Sequence, residues 1–222
     1  MVSIGRLYGP ANNGRINKPL ITAKLSGIEI DYDSNFKFGV DNKTEEYLSK
    51  FPLGQTPAFE SKDGLLLTES DAIAFYIASQ KENNTLLGAD KNEYAKILQY
   101  SFYVSTQITP SFLDLYLPIL GFAPYDAKKE EGAYSRIDRA LGYLDSQLKG
   151  KTYLVGNQVT VADVILFTGV DGLYSKFYAK EHRDKFPNFT KYFDGISQLS
   201  EVKEVIGEYK YAQERPNLAP KA

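Results

Sequence analysis

The sequence predicts an α/β amino-terminal domain followed by an all-helical carboxy-terminal domain. Three observations carry that expectation. Residues 1–80 of the 222-residue chain alternate short strand-like and helix-like segments. Beyond residue 90 the apolar residues recur at steps of three and four, the spacing of a buried helical face. Between the two, Lys81–Asp90 is polar and carries the stop signal Gly88, as a linker would. At roughly 150 residues per domain the length suits one large domain or two small ones. The expected boundaries are 1–80, a linker at 81–90, and 91–222.

Taken in order, Ser3–Tyr8 reads as a strand, Pro19–Ser26 as a helix stopped by Gly27, and Ile28–Tyr32 as an alternating strand. A short helix is expected over Thr44–Lys50. Pro57–Glu60 and Leu65–Thr68 flank Asp63-Gly64, a hairpin-type turn signal, and Ser70–Gln80 follows as a helix with Ile73, Ala74 and Ile77 on one side. In the second half, Tyr134, Ile137, Leu141, Leu144 and Leu148 form one apolar helical face closed by Gly150. Further helices are expected at 91–109, 110–120, 160–179 and 188–197, the last behind Pro187, which suits a first helical turn.

Composition narrows the function. With 43% hydrophobic and 24% charged residues and no apolar run of the ~18 residues that spans a bilayer, the chain reads as globular and not membrane-embedded. A balance of 26 basic against 28 acidic residues, without a basic run, argues against direct nucleic-acid binding, which needs concentrated positive charge. Zero cysteines exclude a disulfide, a thiolate metal site and a cysteine nucleophile from this chain. The one histidine, His182, excludes a multi-histidine metal cluster, and its polar neighbours Lys180, Glu181 and Arg183 give it a solvated surface role. No basic region followed by an apolar stretch opens the chain, so a reducing, cytoplasmic setting is expected.

Three segments carry chemistry or its imitation. In Phe51-Pro52-Leu53-Gly54-Gln55-Thr56-Pro57-Ala58-Phe59 a proline stands at the entry to a half-buried strand, where it cannot donate to a ladder. That implies an irregular turn or a cis bond leaving the Thr56 backbone free for a ligand, or else an ordinary loop-to-strand junction. In Thr68-Glu69-Ser70-Asp71 a helix begins, and its N-terminus offers unpaired N–H groups. Ser70 there suits a carboxylate and Glu69 an ammonium, together a receptor for an amino-acid zwitterion; alternatively Thr68 and Asp71 form a capping box. In Val159-Thr160-Val161-Ala162-Asp163 the reading is structural, with Thr160 and Asp163 capping a buried helix.

These three pieces, in this order, resemble the cytosolic glutathione transferase superfamily along nearly the whole chain. The closer resemblance is to the transferase-like amino-terminal region of the translation elongation factor 1B gamma family. It is carried by Leu7-Tyr8 with Asn13, Arg15 and Lys18, by Leu86-Leu87-Gly88, by Ala123-Pro124-Tyr125, by Tyr153-Leu154-Val155-Gly156 and by Phe186-Pro187-Asn188. The resemblance implies a thioredoxin-like first domain, an all-α second domain, and a homodimer. It implies glutathione as co-substrate and no tightly bound cofactor or metal. Thr56 would pair through its backbone with the cysteine of glutathione beside a cis Pro57. Glu69 and Ser70 would take the γ-glutamyl ammonium and carboxylate, and Gln55 and Lys43 the glycine end.

In such enzymes the glutathione sulfur adds to an electrophile, and a thiol of pKa near ~8.5 must be helped toward thiolate. Here no serine or cysteine lies between Gly9 and Arg15. Asn13 stands at the serine position and offers an amide donor, Arg15 adds permanent charge, and Tyr8 is the remaining phenol. Each has a plainer reading: Tyr8 as core or inter-domain packing, Arg15 as surface, Asn13-Gly14 as a turn. An apolar electrophile pocket is expected between the domains, lined by Tyr103, Phe112 and Tyr116. The elongation factors continue into a linker and a further domain, while this chain stops at Asn217-Leu218-Ala219-Pro220-Lys221-Ala222. Three readings follow: a glutathione transferase acting in detoxification or stress, which a chain that stands alone favours; a scaffold for elongation-factor subunits, which a fragment favours; and a glutathione binder without turnover.

Overall fold

The computed structural model describes residues 2–82 and 85–219. Four strands form one mixed sheet in the order β2-β1-β3-β4: β1 (Gly5–Tyr8), β2 (Asp31–Tyr32), β3 (Ala58–Ser61) and β4 (Leu66–Thr68). β1 runs parallel to β2 and antiparallel to β3, with Leu7 opposite Phe59 and Tyr8 opposite Ala58. Because side chains alternate along a strand, this register sorts the two faces. Leu7 and Phe59 pack with Ile16, Ala23, Ile73 and Ile77 from α1 (Gly14–Ser26) and α3 (Ser70–Ser79). Tyr8 and Ala58 turn to the other face, where Tyr47 of α2 (Glu45–Lys50), Phe51 and Phe36 cover them.

Two elements here depart from expectation. α1 starts five residues before Pro19, because Asn13 caps it by accepting from the Arg15 amide at 2.9 Å. Pro19 therefore lies inside the helix. β2 is reduced to Asp31–Tyr32 because Gly27 ends α1 in a left-handed conformation and the Ile28 amide is spent on the Ala23 carbonyl. The chain reaches the sheet only after that cap.

The second half is helical. α4 (Lys91–Tyr103) and α5 (Thr109–Ile119) are one continuous rod interrupted by a wide turn at Val104–Ile108, where a five-residue bond pattern replaces the α-helical one. α6 (Ala127–Gln147) begins seven residues before Tyr134, capped by Asp126, which accepts from Lys128 and Lys129 at 2.9 and 3.1 Å. Its residues Tyr134, Ile137, Leu141 and Leu144, with Leu148 just past its end, are all buried. α7 (Val161–Lys176) runs through the centre of this core, and α8 (Lys180–Arg183), α9 (Pro187–Ser197) and α10 (Ser200–Ile206) close it. α8 and α10 carry no periodic signal in the sequence. α9 is capped from outside by Asp145 of α6, which accepts from Phe189 N and Asn188 Nδ2 at 2.9 Å each.

His182 is not the solvated residue its neighbours suggest. Its side chain is 16% exposed, its ring lies 5.4 Å from that of Tyr178, and the buried Nδ1 lies 3.4 Å from Glu181 Oε1 without a hydrogen bond among the described residues. Burial lowers its pKa, which keeps it neutral. Residues 207–219 return across the helices as a strap. Tyr209 donates to the Asp171 carbonyl, Ala212 N to Tyr174 O, Arg183 lies 4.1 Å from the Tyr211 ring and Arg215 3.6 Å from the Tyr134 ring. Residues 83 and 84 of the expected linker, and the terminal Pro220-Lys221-Ala222, lie outside the described residues. Among the described residues no helix is long and apolar enough to cross a membrane.

Two interactions give measurable expectations. Asp163 at the start of α7 accepts from Leu154 N, Thr160 N, Thr160 Oγ1 and Tyr192 Oη, all buried. Asp163→Ala strands those donors at about 1–3 kcal/mol for each one left unsatisfied. Chemical denaturation should show a loss of at least about 3 kcal/mol; a loss under 1 kcal/mol would contradict the arrangement. On the α2 face, Glu60 accepts from Lys50 and Tyr8 at 2.8 Å each, and these bonds lower its pKa below the ordinary 4.5. A depressed carboxylate stabilises the fold above its unfolded pKa and ceases to as pH falls through the folded value. Glu60→Gln should therefore be less stable than the parent at pH 7, with the gap closing below about pH 4; a gap independent of pH would refute the assignment.

Candidate functional site

Three adjacent strands end together. Tyr8 is opposite Ala58, and Ala58 opposite Thr68. The residues just beyond these pairs, Gly9 after β1, Pro57 before β3 and Glu69 after β4, therefore share one edge of the sheet. There the Thr56–Pro57 bond is cis, Pro57 is buried and Thr56 half-buried. A side chain on Gly9 would reach within 3.4 Å of Thr56, which fixes how closely the first loop approaches the proline turn.

The proline loop is tied from behind. Tyr47 Oη donates to the Gln55 carbonyl at 2.5 Å and Asn42 Nδ2 to the Gly54 carbonyl at 2.6 Å, leaving the Gln55 side chain exposed. Lys43 sits beside Gly54, its Nζ 3.2 Å from where a Cβ would stand. Gln55 and the Lys43 ammonium thus both lie beside Gly54 of the loop.

At the third edge Glu69 adopts φ 68°, and its exposed side chain makes no cap bond to α3. The capping box of Thr68 and Asp71 does not form. Asp71 is instead drawn to Lys18 of α1, whose Nζ bonds Asp71 Oδ1 and also donates to Ser70 Oγ at 3.1 Å. Ser70 is 8% exposed and Lys18 9%. Burial lowers the Lys18 pKa, opposed by Asp71. Lys18 was legible only as a landmark. Its signal is positional, a lysine at steps of three, four and seven from Ile21, Thr22 and Leu25 on the inward face of α1.

Of the residues expected to act on the thiol, two stand at the N-terminus of α1. Asn13 spends Oδ1 on its cap, which leaves its amide N–H₂ free as a donor. Arg15 is exposed in the first turn, without an ion-pair partner among the described residues, and close enough to Lys18 to disfavour its charge. Tyr8 takes the plainer of its two readings, packing. Its hydroxyl donates to Glu60 on the α2 face, and burial with that carboxylate pushes its pKa up to about 12. It is committed to packing beside a cavity of about 310 Å³ lined by Arg6, Phe36, Tyr47, Lys50 and Phe51, on the face away from Ser70.

The aromatic residues also divide. Phe112 and Tyr116 stack at 5.2 Å and meet Phe177 edge-on, with Phe112 seated over Gly172 of α7. Gly14 of α1 rests one turn earlier on α7, where a Cβ would lie 2.7 Å from the Thr168 carbonyl. Phe112 and Gly14 thus touch α7 one turn apart. Tyr103 is not part of this wall. Its hydroxyl donates to the Ala140 carbonyl at 3.2 Å and its ring meets Tyr143 at 5.0 Å, which places it between α4 and α6.

Comparison with known proteins follows the same division of the chain. Residues 3–79 match the glutathione S-transferase N-terminal domain and residues 114–208 the glutathione S-transferase C-terminal domain. The glutathione S-transferase-like protein LUC7 of a Fusarium species is 39% identical over 208 residues, covering 93% of this chain and 94% of that protein. Elongation factor 1-gamma of Artemia salina is 36% identical over 217 residues, covering 98% of this chain but 50% of its own. The chain thus spans about half the length of the elongation factors it matches. Among solved structures, the GST-like domain of elongation factor 1-gamma from Saccharomyces cerevisiae aligns with a TM-score of 0.83 at 24% identity over the whole of both chains. Poplar glutathione transferase F1 aligns at 0.80 and 23% identity over 92% of this chain and 97% of that one, and both likenesses speak to the fold. Strand-end geometry, thioredoxin-like first domain and helical second domain agree with these matches: the chain belongs to the glutathione S-transferase family.

Proposed function

We propose that this protein binds glutathione along its first domain and conjugates it to apolar electrophiles that enter between the domains, in the cytoplasm and as a homodimer. The observation that carries the reading is the convergence of the cis Thr56–Pro57 turn with Glu69 and Ser70 at one edge of the sheet. Ser70, at the first turn of α3, offers a hydroxyl and an unpaired amide to the γ-glutamyl carboxylate. Glu69 holds the ammonium, the Thr56 backbone pairs with the cysteine, and Gln55 and Lys43 meet the glycine carboxylate.

The bound thiol loses its proton to solvent, and the Asn13 amide and the Arg15 charge stabilise the thiolate. Its sulfur forms a bond to an electrophilic carbon on the Phe112–Tyr116 side. In a substitution the leaving group departs with the electron pair; in an addition to an activated alkene, the adjacent carbon takes a proton from water. A second reading rests on a separate observation, the matches to elongation factor 1-gamma along nearly all of this chain. There the same fold is a scaffold for elongation-factor subunits, with glutathione bound without turnover or not at all.

Titration with glutathione, followed by an assay with an activated aryl halide, separates the readings. Binding with turnover supports the transferase; absence of binding leaves the scaffold. Ser70→Ala should weaken glutathione binding by about 10- to 150-fold in calorimetry, the loss of a charge-assisted bond of roughly 1.5–3 kcal/mol. Unchanged affinity would remove Ser70 from the site. Arg15→Ala should lower kcat by about tenfold or more while glutathione affinity falls less; equal small effects on both would shift the thiolate role to Asn13 or backbone donors.

A further inference from the structure

The ammonium of Lys18 has three N–H donors and no acceptor, and a serine hydroxyl has one proton and two lone pairs. Lys18 Nζ, almost enclosed between α1 and α3, directs one donor to Ser70 Oγ at 3.1 Å and one to Asp71 Oδ1. Ser70 therefore already accepts, and its single proton must point elsewhere. Among the described residues the hydroxyl's own bond is to Asp71 Oδ1, at 3.4 Å, which already holds Lys18. That bond is long, and a charged acceptor arriving from solvent replaces it at little cost.

We infer that Lys18 is a positioning residue that fixes Ser70 as a hydrogen-bond donor toward an incoming carboxylate, so that the site selects an α-carboxylate in its ligand. The inference rests on the glutathione reading and deepens it. Without the ammonium, the Ser70 proton turns inward to Asp71, and Ser70 presents lone pairs where a carboxylate needs a proton. Asp71 has a defined part: it keeps Lys18 charged against the cost of burial, which explains why it leaves the capping position beside Thr68. Lys18 acts through Ser70 and touches no reacting atom.

The experiment compares glutathione with γ-aminobutyryl-cysteinylglycine, which lacks the α-carboxylate, by calorimetry on the full chain. Lys18→Met should weaken glutathione about five- to tenfold and leave the truncated peptide within about twofold, since only the carboxylate contact depends on Ser70. Combining it with Ser70→Ala should add less than about twofold to the serine change alone, because the two act as one unit. Lys18→Arg should restore most of the preference. Should Lys18→Met fail to fold, Lys18→Met with Asp71→Asn removes both charges together and should show the same loss of preference. Glutathione binding by the unmodified protein with no change in either variant overturns the role of Lys18 alone, as does equal loss for both ligands. No glutathione binding by the unmodified protein overturns the reading beneath it.

Discussion

Helix α1 is packed on two sides at once, and the rest of the molecule is arranged around that fact. Toward the sheet, Ile16 and Ala23 join Leu7, Phe59, Ile73 and Ile77. Toward the helical half, Ile21 belongs to the larger core with Ala74, Ala78 and the residues of α7. Ile16 and Ile21 are essentially inaccessible, at 1% and 0% exposure, and each contributes about 1.5–3 kcal/mol by leaving water. At Gly14 the approach is so close that a Cβ would lie 2.7 Å from the Thr168 carbonyl. Moving α1 would separate the Asn13 cap, Lys18 and the α7 wall together, so the two halves and the strand-end site share one geometric reference.

This arrangement explains why the candidate site is spread over short segments of unrelated sequence. Gly9, Pro57 and Glu69 are far apart in the chain and become neighbours only through the register of β1, β3 and β4. The helix behind them supplies an amide donor and a guanidinium at its start and an ammonium one turn later. No histidine or cysteine takes part. In the proposed conjugation the chemistry would rest on donors and fixed charge, with proton transfer left to solvent.

The fold was largely legible because its strongest signals are periodic. The Tyr134-to-Leu148 face, the alternation around Asp63-Gly64 and the Thr160–Asp163 spacing each report a local physical requirement. What escaped depends on partners distant in sequence. The length of β2 is decided by how α1 is capped, and the wide turn at Val104–Ile108 lies against Gly169 of α7, which no local pattern announces. In the site, Tyr8 could be recognised as a phenol beside β1, but which face it takes follows from a register one residue long. Lys18 and Asp71 were visible as residues, yet their pairing joins α1 to α3 across 53 positions. His182 misled because polar neighbours on a four-residue helix say nothing about the Tyr178 ring beneath.

The strap of residues 207–219 is fastened reciprocally. Arg183 of the helical body covers Tyr211 of the strap, and Arg215 of the strap covers Tyr134 of the body and pairs with Glu130 at 2.8 Å. Between them Arg183 also donates to Tyr178 O and Ala212 O, beside the Ala212-to-Tyr174 backbone bond. A peeling motion from either end meets a cation seated on a ring before it reaches that central bond. The segment therefore belongs energetically to the folded body and not to its fraying edge: its amides open with the helices it crosses.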